Sequence, residues 1–293
     1  MKGTQIPGIN YNYPNYNWLI NGDCRVSQRG DYSSASSATT GTYYIDRWKT
    51  NFGTVTFNKQ HLSTNQPSGL NNCYSIRLIA TNTVSGWGGH DQFIEDYASF
   101  SDKKVTFSVW VKSNNADARL VFYDGVSTIT SSGHTGGGDW ELLTLTTTVD
   151  SSATTLRLST YIIPASGSGN SVITTGDYIE FTGAKLEIGP YTPFESRPFA
   201  EELRLCQRYF IFGHFAFKNV STGSLLQASG IGGVTPFPVQ MRTSPTISRT
   251  DSITENIDTL SETPYSDSID WNGRCNGANR FRWIGSFTAD AEM

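Results

Sequence analysis

The sequence predicts a mostly β protein: an antiparallel jelly-roll β-sandwich, then one short helix, then a small C-terminal β domain. Three observations carry this. Aromatic residues make up 13% of the 293-residue chain and charged residues only 16%, the reverse of a disordered composition. Thirty-three serines and 34 threonines accompany 28 glycines, residues that favour pleated sheet and turns rather than a helical bundle. Short apolar/polar alternations recur up to about residue 189, separated by Gly- and Ser-rich turns, which is the pattern of a sandwich or barrel.

Taken in order, residues 1–17 show no periodicity and read as an extended arm. Its tyrosines, Tyr11, Tyr13 and Tyr16, would dock on a partner; the alternative is a frayed terminus. Strands are expected over Thr42–Lys49, around Val55 and Phe57, and over Tyr74–Thr81. Lys104–Lys112 has the clearest alternation, with Val105, Phe107, Val109 and Val111 on one face. Further strands are expected around Leu120–Tyr123, over Trp140–Val149, around Leu156–Ile162 and over Tyr178–Ile188. That is about nine or ten strands within 18–190, with connections too short for the helices of a parallel βαβ plan. Within 191–210, Pro198 can open a helix whose apolar residues Phe199, Leu203, Cys206 and Phe210 recur at helical spacing, with Glu201 and Glu202 in its first turn. Residues 211–293 return to β patterning and are expected to form the second domain.

Several function classes drop out. A net charge of −4 with scattered Lys and Arg leaves no footprint for nucleic acid. No apolar run approaches the roughly 20 residues of a membrane span, and the N-terminus lacks the apolar core of a secretory signal, so synthesis in the cytoplasm without export is expected. Cys24, Cys73, Cys206 and Cys275 show no CxxC spacing and are expected as buried free thiols. None of the four histidines sits in an HxH, HExxH or GxSxG context. The densest acidic cluster is Asp91, Glu95 and Asp96 beside His90. On one strand Asp91 and Glu95 would stand about 13 Å apart, too far for a glycosidase pair. No catalytic residue is assigned, and the chain is read as non-enzymatic.

Four segments look familiar: NWLINGDCRVSQRG (17–30), YYIDRW (43–48), KKVTFSVWVKS (103–113) and GAKLEIGPYTPFESRPFAEELRLCQRYF (183–210). With the ending FTADAEM (287–293) they resemble bacteriophage tail-fibre and receptor-binding proteins. The resemblance implies a virion protein, on the tail or capsid surface, with a carbohydrate-binding-module-like jelly roll and a C-terminal β domain. It implies a homotrimer, with Leu203, Cys206 and Phe210 around the threefold axis; the alternative is that this stripe packs on its own jelly roll. It also implies attachment to another virion protein through the arm, and a host surface polysaccharide as target. No cofactor is expected, although Asp177 and Glu180 lie where related modules hold a structural calcium. Only about 17 residues precede the first strand, where long fibres carry a large attachment region. A virion adaptor or head decoration protein is therefore the alternative. A depolymerising tailspike is a third reading, but the repeats of a β-helix are not visible.

Sugar recognition needs a flat ring to stack on, with a few polar groups beside it. Three Gly-rich segments isolate such residues: Ser85–Gln92 with Trp87, His90 and Asp91; Ser131–Trp140 with His134; and Trp271–Gly277. Loops at the ends of a rigid sandwich are favoured binding positions. The ligand candidates are therefore Trp87, His90, Asp91, His134 and Trp271; the alternatives are subunit contacts or buried loop anchors.

Overall fold

On a β-strand, successive side chains point to opposite faces, so each alternation noted above sends one set of residues into a core and the other set out. The computed structural model describes residues 15–220, 230–275 and 280–293. The chain divides into two units, the first ending at Pro198 and the second starting at Phe199.

The first unit contains β1 (Ser36–Ser37), β2 (Tyr43–Ile45), β3 (Trp48–Phe52), β4 (Phe57–Leu62), β5 (Ser75–Ala80), β6 (Val84–Gly86) and β7 (Gly88–Phe93). It continues with β8 (Lys104–Ser113), β9 (Ala118–Tyr123), β10 (Thr128–Thr130), β11 (Trp140–Thr148), β12 (Arg157–Ile162), β13 (Ser171–Ile173) and β14 (Tyr178–Ile188). One sheet has the order β1-β4-β5-β14-β8-β11 and the other β10-β9-β12-β7-β3-β2, with β13 and β6 as a separate ribbon. The antiparallel pairs β5·β14, β7·β12, β8·β11 and β9·β10 are nested. The first strand of this series pairs with the last, the second with the next-to-last, and the innermost two form a hairpin. That wound hairpin across two sheets is a jelly roll.

Between the sheets, Val105, Phe107, Val109 and Val111 of β8 are fully buried, as their alternation predicts. They meet Leu120 and Phe122 of β9 and Leu158 and Ile162 of β12 in one core, where each such side chain contributes about 1.5–3 kcal/mol. Trp48 packs edge-on against Phe181 at 4.6 Å. The strand expected over Thr42–Lys49 is instead a tight β2–β3 hairpin. Arg47 adopts φ 71°, and the Asp46 carboxylate accepts from the Gln28 backbone N–H and side chain, each at 2.7 Å.

The segments that open and close the first unit are fastened to each other and to β14: the Trp18 N–H donates to the Leu186 carbonyl at 2.8 Å. Arg197 donates to the Asn17 and Leu19 carbonyls, and Lys185 pairs with Glu187 at 3.2 Å. Cys24, Cys73 and Cys206 are buried free thiols, and burial pushes the Cys24 thiol well above its ordinary range.

The second unit opens with α1 (Phe199–Gln207), followed by β15 (Phe210–Val220), β16 (Gly230–Pro236), β17 (Thr246–Glu255), β18 (Ile257–Pro264), β19 (Ser268–Cys275) and β20 (Arg280–Asp290). They form two three-stranded sheets, β15-β20-β17 and β16-β19-β18. Ile211, Phe215, Met241, Ile269, Trp271, Trp283 and Phe287 form their core. The stripe of Leu203, Cys206 and Phe210 is divided by burial. Cys206 and Phe210 are buried within the chain, Phe210 begins β15 rather than continuing the helix, and Leu203 is half-buried. Two of the three side chains are thus already covered. No helix among the described residues is long and apolar enough to cross a membrane.

Candidate functional site

The second sheet of the jelly roll, β10-β9-β12-β7-β3-β2, presents the candidate site on its outer face. Alternation decides its membership. In β12, Leu158 and Ile162 enter the core, so Arg157, Ser159 and Tyr161 face out. In β9 the outward residues are Arg119, Val121 and Tyr123; in β3 they are Lys49 and Asn51; in β7 they are Asp91 and Phe93. Antiparallel register sets these side by side: Ser159 is opposite Asp91, and Asp91 is opposite Lys49.

Two glycines shape one end of this face. A Cβ on Gly53 would lie 2.9 Å from the Trp87 indole nitrogen, and one on Gly89 would lie 2.6 Å from the Tyr161 ring and 1.8 Å from the Thr160 carbonyl oxygen. The absent side chains let both rings settle against the sheet, with Trp87 and Tyr161 centroids 5.5 Å apart. Gly89→Ala is expected to destabilise the sandwich by about 2–4 kcal/mol, because the clash is with backbone of the paired strand. A urea unfolding curve checks this.

The floor is polar and tightly bonded. Asp91 is buried, and its Oδ1 accepts from the Ser159 hydroxyl at 2.6 Å and the Tyr161 phenol at 2.5 Å. Its Oδ2 accepts from Asn51 Nδ2 at 2.8 Å, and the same amide donates to the Tyr161 oxygen at 2.9 Å. Burial, with the neighbouring Asp91 charge, raises the Tyr161 phenol well above its ordinary value, and the Arg157 charge opposes this. The phenol therefore keeps its proton and stays a donor. Around this floor stand half-exposed Trp87, Lys49, Asn51, Phe93, Tyr123 and Arg157. Aromatic area beside fixed hydrogen-bonding groups, on a rigid sheet, suits a ligand with an apolar face and polar edges.

Of the residues singled out in the sequence, Trp87 and Asp91 come together here. His90 does not. It is the next residue to Asp91, so it points the other way into the core, where its Nε2 lies 3.0 Å from the Tyr44 phenol. Burial lowers its pKa to about 3, so it is a neutral core histidine. His134 is buried within its loop and both ring nitrogens are occupied, Nε2 by the Asp139 carbonyl at 3.0 Å and Nδ1 by the Gly136 N–H at 2.9 Å. It fastens the Gly-rich turn and offers no group to a ligand. Trp271 lies on β19 and is 1% exposed. Of the Gly-rich segment 271–277, residues 271–275 are strand and the rest lie outside the described residues; Gly232 allows the β16 backbone to approach the Trp271 carbonyl.

The calcium expectation meets carboxylates that are already engaged. Glu180 pairs with Arg77 and accepts from Ser75 Oγ at 2.5 Å, and Asp177 accepts from Asn115 and from the Thr174 N–H and hydroxyl. No three His, Cys, Asp or Glu side chains converge as metal ligands among the described residues. Tyr11 and Tyr13 lie outside the described residues. Tyr16 is engaged within the chain, 4.9 Å from Trp18 and under the Arg197 guanidinium at 5.2 Å.

Asn51, Tyr161, Ser159, Phe93, Lys49 and Arg157 were not singled out from the sequence. Alternation within β12 puts Arg157, Ser159 and Tyr161 on one side, but nothing local says that side meets Asp91 from a strand 68 residues earlier.

No protein-family model matches the chain, and no curated protein does. Solved structures give distant similarities. The enzymatically active domain of tailspike protein 4 from bacteriophage CBA120 matches at 16% identity and TM-score 0.38, over 59% of this chain and 21% of that one. TmCBM61, solved with β-1,4-galactotriose, matches at 11% and 0.37, over 60% of this chain and all of that one. A putative sugar-binding protein from Bacteroides thetaiotaomicron matches at 11% and 0.33, over 59% and 100%. The chain spans about a fifth of the tailspike chain it matches. Values this low say nothing of substrate, so the site is read from its own residues.

Proposed function

We propose that this chain is a virion adhesin of fibre type that holds a host surface glycan on the outer face of its β10-β9-β12-β7-β3-β2 sheet and performs no chemistry on it. The observation that carries the reading is Trp87, laid against Gly53 and beside Tyr161 at the edge of a polar floor built on Asp91. A sugar would stack its C–H face on the indole and exchange hydrogen bonds with the rim groups Lys49, Asn51 and Arg157, which the buried floor holds in place. Binding without cleavage fits the state of Asp91, whose two oxygens receive three donors from its own chain. The virion role rests on the fibre-like segments at 17–30, 103–113 and 183–210.

Trp87→Ala is expected to weaken binding to host envelope polysaccharide at least about tenfold, or roughly 1.4 kcal/mol, with the far-UV circular dichroism spectrum unchanged. Titration calorimetry of wild type and variant measures it. Unaltered affinity in the variant would remove this face as the site. Failure of the wild type to bind any envelope fraction would remove the adhesin reading. Reducing ends released from the polymer would contradict binding without chemistry.

A further inference from the structure

On the outer face of the second sheet, the cations are less satisfied than the anion. The Asp91 carboxylate is held by Ser159, Tyr161 and Asn51, and Arg119 pairs with Asp117 at 2.9 Å. Lys49 and Arg157 meet no carboxylate within ion-pair distance among the described residues; they rest on rings. The Lys49 ammonium lies 5.9 Å from the Tyr43 centroid and 5.8 Å from that of Phe93. The Arg157 guanidinium lies 5.0 Å from the Tyr123 centroid, and its Nε is buried with no acceptor.

The residues that carry these two cations flank one ring. Phe93 is directly opposite Arg157 in the β7·β12 ladder, and the Lys49 ammonium approaches it from β3. Phe93 is half-exposed, so a sugar ring laid on it would have a positive group on either side. A donor held out of water without an acceptor is costly. A ligand oxygen that draws the guanidinium off the Tyr123 ring gives it the missing acceptor, most strongly if that oxygen is charged, because charge-assisted hydrogen bonds are about twice as strong as neutral ones. The guanidinium also fits a carboxylate with two parallel bonds.

Resting on the glycan-binding reading, we infer that the face selects acidic saccharides: a uronate-type unit stacks on Phe93 and its carboxylate is received by Arg157 and Lys49. Asp91, buried and already saturated by its own donors, lies beneath the face and leaves the rim cations free to receive the ligand's charge.

The test titrates the full chain with polygalacturonate oligosaccharides and with host envelope polysaccharide. Each is used native and after carboxyl groups are reduced to alcohols, at low and high salt. An oligo-dT strand serves as a polyanion without sugar acids. The expected result is at least about tenfold tighter binding of a native polymer than of its reduced form, with the preference weakening in salt. In Lys49→Gln and Arg157→Gln the native-to-reduced preference falls toward one, while circular dichroism shows the fold retained. Equal binding of native and reduced polymers, or an undiminished preference in both variants, overturns the acidic selectivity and leaves the glycan reading standing. Oligo-dT binding as tight as the native polymer overturns it as well, pointing to general polyanion attraction. Binding of no polysaccharide in any form overturns both.

Discussion

Trp271→Ala is expected to destabilise the second unit strongly and leave the jelly roll standing. The indole is 1% exposed and central to an aromatic cluster. Phe215 lies 4.5 Å away, Trp283 5.6 Å away at 90°, and Phe287 5.6 Å away. Its N–H donates to the Thr235 hydroxyl at 2.8 Å. Truncation of a buried Trp costs about 3–5 kcal/mol through lost transfer energy and the cavity left behind. A unit the size of Phe199–Met293 has on the order of 5–14 kcal/mol in all, so the variant loses about a fifth of it at least. The core here is small, and few neighbours can collapse into the space. Calorimetry on the full chain should show a transition moved down by many degrees in Trp271→Ala, with the near-UV aromatic signal reduced. The transition of the Trp48-containing sandwich should be unmoved. An unshifted melting profile would return Trp271 to the surface that its Gly-rich sequence setting predicts.

The second large effect is acid lability of the jelly roll centred on His90. Its pKa in the folded chain is about 3 because burial disfavours the imidazolium, against roughly 6.5 for an exposed histidine. Between those values the unfolded chain binds a proton that the folded chain does not. Unfolding is therefore increasingly favoured as pH falls through 6.5 toward 3, and the loss is absent above 6.5. The group's contribution is about 2–3 kcal/mol at pH 4.5 and on the order of 4–5 kcal/mol near pH 3. The groups around the ring do not relieve it. The Tyr44 phenol at 3.0 Å is itself raised well above 10 by burial and stays neutral, and Phe181 packs edge-on at 5.2 Å. His90→Gln is expected to lower stability at pH 7 modestly through the altered bond to Tyr44, and to flatten the slope between pH 6.5 and 4.5. Urea midpoints at pH 7.0, 5.5 and 4.5 measure it. Parallel curves for the two proteins would mean that His90 does not remain neutral in the fold.

The fold was legible because its signal is local. Val105, Phe107, Val109 and Val111 alternate within one strand and are all buried, and the helical spacing before residue 210 marks α1. The site was legible only in part. Trp87 stands out because glycines flank it, and Asp91 because it opens the densest acidic cluster of the chain. His90 shares their segment, whose glycines read as a loop; because Gly88–Phe93 is a strand, alternation sends His90 to the face opposite Asp91. Trp271 was misplaced for a related reason: Gly-rich sequence reads as loop, whereas here glycine thins a strand so that another can pass close by.

By itself the sequence determined which segments extend, which one coils and which residues each strand sends to the same side, because those follow from propensities and periods inside a few residues. The tertiary structure alone decided which strands adjoin. β7 pairs with β12 on one edge and with β3 on the other, so Asp91 meets Ser159, Tyr161 and Asn51, and Phe93 stands between Lys49 and Arg157. Those meetings depend on the register and winding of strands as much as 110 residues apart, which are set by how the whole core closes rather than by any stretch of chain that carries the site.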